Sequence, residues 1–148
     1  MTFSAVALFG QTTNFLGVGA SYTGDYYAST VAYGRLLSQT SGTYNFWAVD
    51  YIPTSLKPIT VTSNLSTGIM QKVLSTGPVT FYVPATAGLS SSGPNTGWFW
   101  SAGGLATINI GKSGWTLDPT VRIGKTNVTI VGAQQYQVIV GVIFGFGW

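Results

Sequence analysis

The C-terminal segment, residues 136–148, alternates between large apolar residues and smaller or polar ones. The first set takes every second position and consists of Tyr136, Val138, Val140, Val142, Phe144, Phe146 and Trp148. The positions between them hold Gln137, Ile139, Gly141, Ile143, Gly145 and Gly147. Because successive side chains on a β-strand point to opposite faces, one face of this segment is continuously apolar. The pattern predicts a strand whose apolar face points outward, towards lipid.

Three upstream segments, residues 79–90, 97–110 and 115–124, show the same alternation. In the third segment, Asp118 and Arg122 both fall on the polar face. These charges would point to water in a soluble β-sandwich and into the lumen in a transmembrane barrel, and the alternation alone fits both folds. Other properties of the chain have to decide between them.

Turn signals divide the chain into eight predicted strands. We expect these strands to form one domain over residues 1–148. No strand is assigned to the N-terminal segment 1–13, whose structure is left open. The strands cover residues 14–22, 26–37, 43–52, 59–74, 79–90, 97–110, 115–125 and 136–148. Tight turns at 38–42, 75–78 and 111–114 alternate with looser loops at 53–58, 90–96 and 126–135, and only the connection at 23–25 departs from this alternation. An even strand number with this layout predicts an all-β fold, an eight-stranded antiparallel up-and-down transmembrane β-barrel.

The composition favours the membrane interpretation. Of the 148 residues, 45% are hydrophobic and only 6% are charged, whereas an ordinary soluble domain carries about 25% charged residues. The longest run of apolar residues and glycines, 138–148, is shorter than the roughly 20 residues that a membrane-spanning helix needs. The sequence therefore predicts that strands, and not helices, cross the membrane.

Missing residue types restrict the chemistry. The chain has no Cys and no His, and its three acidic residues are Asp25, Asp50 and Asp118. Disulfides, thiolate or imidazole metal sites and Ser-His-Asp catalysis are therefore excluded, and we expect no cofactor and no enzymatic activity. The six cations are isolated from one another, so we expect no nucleic-acid partner.

Aromatic residues give a second indication of where strands meet the membrane surfaces. Trp and Tyr collect at the headgroup level on both sides of a transmembrane barrel. The loop end carries Tyr22, Tyr26, Tyr27, Tyr51, Trp98, Trp100 and Tyr136, and the turn end carries Trp115 and Trp148. We predict Trp98, Trp100, Trp115, Tyr136 and Trp148 as interface residues, although aromatics also favour strand ends in other β-proteins.

The predicted lumen contains charges that need compensation. Side chains can fill the interior of eight strands, which disfavours a general diffusion pore. The lumen candidates are Tyr44, Phe46, Ala48, Asp50, Tyr82, Asp118 and Arg122. Asp118 and Arg122 lie roughly 13 Å apart along one strand, so each is expected to pair across the barrel. Our hypothesis is an Arg122–Asp50 ion pair that acts as a structural plug, and the alternative is a gate for an ion or ligand.

Two features complicate the strand assignment. Pro84 and Pro119 lie inside predicted strands, and a closed barrel has no free edge that tolerates a missing amide donor, so bulges are expected there. In the segment 59–74, the apolar parity that holds as far as Leu65 is not continued cleanly by Met70 and Lys72.

The closing segment VIVGVIFGFGW, with Phe144, Phe146 and Trp148 in alternate positions, resembles the C-terminal aromatic signal of small eight-stranded bacterial outer-membrane β-barrels, the OmpA-type and OmpX-like group. The resemblance implies a location in the bacterial outer membrane and recognition of these three residues by the outer-membrane insertion machinery. The usual terminal residue of the group is Phe, and its members carry more charge. The N-terminus, MTFSAVALFG, has no basic leader, and we interpret Met1 as the start of a mature or recombinant chain. If the natural protein is exported, we expect that its signal peptide has already been removed.

Three functional hypotheses follow. The first is an outer-membrane barrel in contact with lipid, with a structural role or a protein partner bound through loops 90–96 and 126–135. The second is a soluble, lipocalin-like carrier whose apolar faces turn inward around a lipidic ligand. The third is a self-assembling coat or fibre subunit whose apolar faces meet other copies. Low charge, turn alternation and the aromatic closing strand favour the first.

Overall fold

The computed structural model describes residues 13–22, 27–56, 59–128 and 136–148. Eight strands follow one another along the chain: β1 (Asn14–Tyr22), β2 (Tyr27–Ser38), β3 (Thr43–Leu56), β4 (Ile59–Thr76), β5 (Val79–Ser92), β6 (Asn95–Asn109), β7 (Trp115–Thr126) and β8 (Tyr136–Gly147). All eight predicted strands are present, and most of their ends agree within two residues. Residues 1–12 lie outside the described part of the chain, so the prediction of a single domain over 1–148 stays a prediction.

Each strand pairs antiparallel with its neighbours in the chain, and β1 also pairs with β8. That last ladder runs from Phe15 opposite Gly147 to Tyr22 opposite Val140, which closes the sheet into a barrel. The predicted eight-stranded antiparallel up-and-down barrel is confirmed. Within the described residues, no helix has the length and apolar character needed to cross a membrane.

The apolar rows of the strands face outward. On β8, Val138 and Val140 are 56% and 50% exposed, whereas Ile139 and Ile143 between the outward positions are buried. The same orientation holds on β7, where Leu117, Val121 and Ile123 are exposed while Asp118, Thr120 and Arg122 at the alternate positions are buried. A soluble carrier with its apolar faces turned inward requires the opposite orientation, so the structure argues against that alternative.

The connection between β5 and β6 corrects one prediction. Residues 90–96 do not form a loose loop, because pairing continues to Ser92 opposite Asn95 and only Gly93 and Pro94 remain between the strands. Gly93 has a φ of 58°, a backbone conformation that glycine adopts without steric cost. Similarly, β3 continues to Leu56, so the predicted loop 53–58 is mostly strand. Of the predicted loop 126–135, residues 129–135 lie outside the described part.

The two prolines within strands are accommodated without the predicted bulges. The register between β5 and β6 is the same on both sides of Pro84, and that between β6 and β7 is the same on both sides of Pro119. Instead, pairing to β6 is interrupted for two residues at each proline, while Pro84 still pairs with β4 and Pro119 with β8. The Thr120 hydroxyl, next to Pro119, donates to the Gly104 carbonyl at 3.2 Å. The register shifts occur elsewhere, at 36–38, 53–55 and 72–74.

Because of these interruptions, we expect the backbone amides in the middle of β6 to be the least protected from exchange in the barrel. Backbone amides of residues 103–107 should exchange with solvent deuterium faster than those of residues 140–146 in β8, because fewer ladder bonds hold them. Hydrogen exchange of the refolded protein, read by NMR, measures both. Pro84→Ala restores a donor facing β6 and should slow exchange there, and equal protection of the two segments in the parent protein would contradict this interpretation.

Candidate functional site

The turn-side half of the lumen is filled by large apolar side chains. They form one buried cluster made of Phe15, Ala32, Tyr44, Phe46, Ala48, Met70, Tyr82, Leu105 and Ile143. The rings of Tyr44 and Tyr82 meet edge to face, with centroids 6.0 Å apart.

The loop-side half of the lumen contains both polar and apolar side chains. Its buried polar residues include Ser21, Thr30, Asp50, Thr62, Asn64, Ser66, Thr86, Ser90, Ser92, Ser101, Arg122, Thr126 and Gln137. The fully buried side chains of Ile52, Phe99 and Ile139 lie in the same half. Polar residues of the loop-side lumen therefore pack beside large apolar ones.

Asp50 of β3 and Arg122 of β7 meet across the barrel at the base of this half. Arg122 Nη2 lies 2.9 Å from Asp50 Oδ1, and Nη1 lies 3.4 Å from Oδ2. The Thr30 hydroxyl also donates to Asp50 Oδ1 at 2.7 Å. Both charged side chains are almost completely buried, with 4% of Arg122 and 1% of Asp50 exposed. A charge removed from water in this way requires a partner, and each of these groups supplies it to the other.

Asp118, the third charged residue predicted for the lumen, lies apart from this pair. It is fully buried in the turn-side half, where the Thr116 hydroxyl donates to its Oδ2 at 3.0 Å. The ion pair between Arg122 and Asp50 is the only salt bridge within the described ranges, so Asp118, which was expected to pair across the barrel, has no cationic partner there. The sequence pattern indicated the inward direction of Asp118 but not its separation from the cations.

The predicted interface aromatics lie outward at the two ends of the barrel. Trp98, Trp100 and Tyr136 are exposed at the loop end, where Lys125 Nζ donates to the Tyr136 hydroxyl at 2.9 Å and lies 4.5 Å from its ring centroid. No sequence pattern distinguishes Lys125, although its position in line with Ile123 on β7 places it beside these rings.

A second group of aromatics surrounds the C-terminus at the turn end. Trp115 stacks on Phe144 with centroids 5.0 Å apart, and its ring also lies 4.8 Å from Phe146. Phe146 in turn stacks on Trp148 at 6.1 Å. The three residues proposed as an insertion signal thus form one outward-facing aromatic surface together with Trp115.

Comparison with known proteins gives a match in structure but none in sequence. No family model matches the chain, and no curated protein matches it. Among solved structures, Neisserial surface protein A (NspA) aligns with a TM-score of 0.63 at 9% identity, over 91% of this chain and 94% of that one. A de novo designed transmembrane β-barrel aligns with a TM-score of 0.56 at 15% identity, over 90% and 95% of the two chains. The chain has the fold of small outer-membrane β-barrels.

One of these structural matches corrects the prediction that the chain is not an enzyme. The outer membrane enzyme PagL aligns with a TM-score of 0.55 at 7% identity, over 90% of this chain and 99% of that one. Since an enzyme shares this fold, neither the fold nor the filled lumen argues against catalysis. At this identity the match shows the fold alone and assigns no activity to this chain.

The buried ion pair predicts that a single substitution lowers the free energy of unfolding more than substitution of both partners does. Arg122→Met leaves the Asp50 carboxylate buried without a cation and should lower the free energy of unfolding by about 3–5 kcal/mol. Adding Asp50→Leu removes the stranded charge and should recover much of that loss. Urea unfolding of the refolded barrel in detergent micelles, followed by Trp fluorescence, measures both variants.

Lys125→Met is the matched control, because it removes an exposed cation at the barrel surface and should cost no more than about 1 kcal/mol. If Arg122→Met and the double variant lost the same free energy, the two charges would not be coupled.

Proposed function

We propose that this chain is an integral β-barrel of the bacterial outer membrane with a structural or partner-binding role. The observation that supports this best is the outer surface of β7, β8 and β1, where the exposed large residues between the two aromatic ends are all apolar. Lipid is the environment in which such a surface is stable, and aromatic residues at both ends suit the two headgroup regions.

The proposed barrel is not a general diffusion pore. The apolar cluster fills the turn-side half of the lumen, and the Arg122–Asp50 pair links β7 to β3 directly above it. Because the two charges compensate each other, we assign the pair a structural role as a plug. This interpretation is favoured over a gate, since breaking the pair would strand two buried charges.

A partner surface is supported by the unequal strand lengths at the loop end. Strands β3 to β6 pair with one another as far as Leu56 opposite Ile59 and Ser92 opposite Asn95. In the described part of the chain, the ladder between β2 and β3 ends at Tyr51, and that between β6 and β7 begins at Phe99. Within the described residues, β3 therefore extends beyond its ladder with β2, and β6 extends beyond Trp98, where Asn127 still bonds to it. Free edges expose backbone donors and acceptors that an extended segment of another protein can pair with.

Site-specific crosslinking tests the partner role. A photoreactive residue at the exposed position Asn95, in the sheet extension, should yield one discrete crosslinked product in cells that express the protein in their outer membrane. The same residue at Lys112, in the turn at the opposite end, is the control and should yield no such product. Absence of a product at Asn95, or the same product at both positions, would contradict a loop-end partner. A product of two copies of this chain would favour the self-assembling alternative.

The closing strand also supports recognition by the outer-membrane insertion machinery. The backbone of Trp148 accepts hydrogen bonds from Thr13 and Asn14 at 2.9 and 3.0 Å and donates one to Asn14 at 3.0 Å, so the C-terminal residue takes part in closing the barrel. The side chains of Phe144, Phe146 and Trp148 remain outward, where a receptor can contact them before closure.

Trp148→Ala should therefore reduce assembly in cells more than it reduces folding in micelles, because the backbone bonds persist while the outward ring is lost. Trp148→Phe, which keeps an aromatic ring, should assemble nearly as well as the parent protein. The heat-resistant folded band on denaturing gels of outer-membrane fractions measures assembly. Equal assembly of the Ala and Phe variants would count against a terminal aromatic signal.

A further inference from the structure

The outward row of β2 carries a positive charge. Arg35 lies in line with Val31 and Tyr33 and is exposed, whereas Ala32 and Gly34 at the alternate positions are buried. A cation on the outer wall of a membrane barrel is costly at the bilayer centre and is tolerated close to either membrane surface. The position of Arg35 along the barrel axis therefore decides what can surround it.

Arg35 lies near the turn end of the barrel, close to the level of the C-terminal aromatic residues. It is opposite Asn14 on β1, and Asn14 exchanges two backbone hydrogen bonds with Trp148 on its other side. The turn between β2 and β3 follows shortly, since Ser38 pairs with Thr43. Because Trp148 is one of the aromatic residues assigned to the turn-end headgroup region, the guanidinium of Arg35 is within reach of lipid headgroups on that side.

Polar side chains flank Arg35 on both neighbouring strands. Asn14 of β1 and Asn45 of β3 are directly opposite it, and the Cβ atoms of such opposite residues are about 5 Å apart. The Tyr33 hydroxyl donates to Asn14 Oδ1 at 3.0 Å, so the Nδ2 group of Asn14 is the one that remains available as a donor. Asn45 Oδ1 accepts a hydrogen bond from the indole nitrogen of Trp47. Arg35 and Asn14 together therefore present hydrogen-bond donors on the outer wall.

No carboxylate among the described residues neutralises Arg35. Asp50 and Asp118 are both buried inside the lumen. Asp25, the remaining acidic residue of the chain, lies outside the described ranges in the connection that joins the other ends of β1 and β2. A counter-charge for Arg35 on the outer wall must therefore come from another molecule.

The turn end as a whole favours an anionic molecule. Besides Arg35, it carries Lys72, whose backbone amide donates to Gly42 in the β2–β3 turn at 3.0 Å, and Lys112, which is exposed in the β6–β7 turn. Within the described ranges, no acidic residue lies at this end. Cations close to a membrane surface attract anionic lipid headgroups.

The chemistry around Arg35 suits a lipid phosphate. A guanidinium group donates through a planar fork that matches phosphate oxygens, and Asn14 adds a neutral donor beside it. Towards the bilayer centre, the same outward rows continue with Val31 on β2 and Leu16 on β1, both exposed and apolar, where acyl chains can pack. We propose that Arg35 and Asn14 bind the phosphate of an anionic phospholipid, such as phosphatidylglycerol, on the outer wall at the turn end.

This inference rests on the proposed membrane location and adds a lipid ligand to it. Failure of the barrel to form in uncharged detergent micelles would overturn both claims. A barrel that forms in these micelles but shows no preference for anionic lipid would overturn the headgroup site alone.

NMR titration of the full chain, refolded in uncharged detergent micelles, tests the headgroup site. Phosphatidylglycerol or, in parallel, zwitterionic phosphatidylcholine is added at increasing mole fraction. The backbone amides of Asn14, Arg35 and Asn45 and the side-chain Nε–H of Arg35 should shift with saturation at a lower mole fraction of phosphatidylglycerol. Arg35→Gln should raise the half-saturating mole fraction about fivefold, because one cation near the surface is lost.

Asn14→Ala removes the second donor and keeps the charge, so it should weaken binding by a smaller factor. Lys125→Gln is the matched control, because it removes an outward cation at the loop end and should leave the response at the turn end unchanged. The heat-resistant folded band on denaturing gels checks that each variant still forms the barrel.

Three results would overturn the proposal. The first is an equal response to the two lipids at Arg35, and the second is an unchanged half-saturating mole fraction in Arg35→Gln. The third is an equal set of saturable shifts with sodium phosphate in lipid-free micelles, which would indicate a site for free anions and not for a lipid.

Discussion

Pairing of β1 with β8 is the constraint on which the rest of this structure depends. Without it, the outer edges of β1 and β8 would expose backbone donors and acceptors, and in a bilayer no water is present to satisfy them. Closure removes both edges along the paired length, and the antiparallel ladder from Phe15 to Tyr22 achieves it. The backbone of Trp148 extends this pairing to Thr13 and Asn14, so this residue also helps to close the barrel.

Closure of the barrel also determines which residues face the lumen and which face outward. With eight strands the lumen is narrow, and the alternate residues that face it must either pack together or pair their polar groups. In the turn-side half, aromatic and aliphatic side chains pack together. In the loop-side half, the charges of Asp50 and Arg122 pair with each other. The same alternation leaves the outer surface apolar, which accounts for a chain that carries only 6% charged residues.

The fold could be predicted from the sequence because a period of two is a strong local signal and turn residues delimit it. Met70 departs from the apolar parity of β4 because it faces inward and packs in the lumen cluster, whereas Ile69 and Val73 remain outward. The irregular pairing at 72–74 follows it, and such a local register shift leaves little trace in one sequence. The connection at 90–96 was mispredicted because Ser, Gly, Pro and Asn are typical of loops, whereas pairing between β5 and β6 overrides this preference up to a two-residue turn.

The candidate site was less predictable than the fold. Alternation placed Asp50, Asp118 and Arg122 on inward faces, but which of them meet depends on the register of all eight strands together. The buried polar side chains of Asn64, Ser90 and Gln137 carry no sequence signal of their own, since polar residues are ordinary on an inward face. Likewise, the exclusion of catalysis from missing residue types went too far, because an outer membrane enzyme shares the fold.

The central claim is that the outward apolar surface is covered by lipid. It is tested most directly by refolding the chain with and without detergent micelles, with circular dichroism to follow strand content and denaturing gels of unheated and heated samples. The account predicts that a β-rich monomer forms only with micelles and migrates differently before and after heating. A β-rich monomer that forms in plain buffer and remains soluble there would contradict the account, because the apolar rows would then have to form a core.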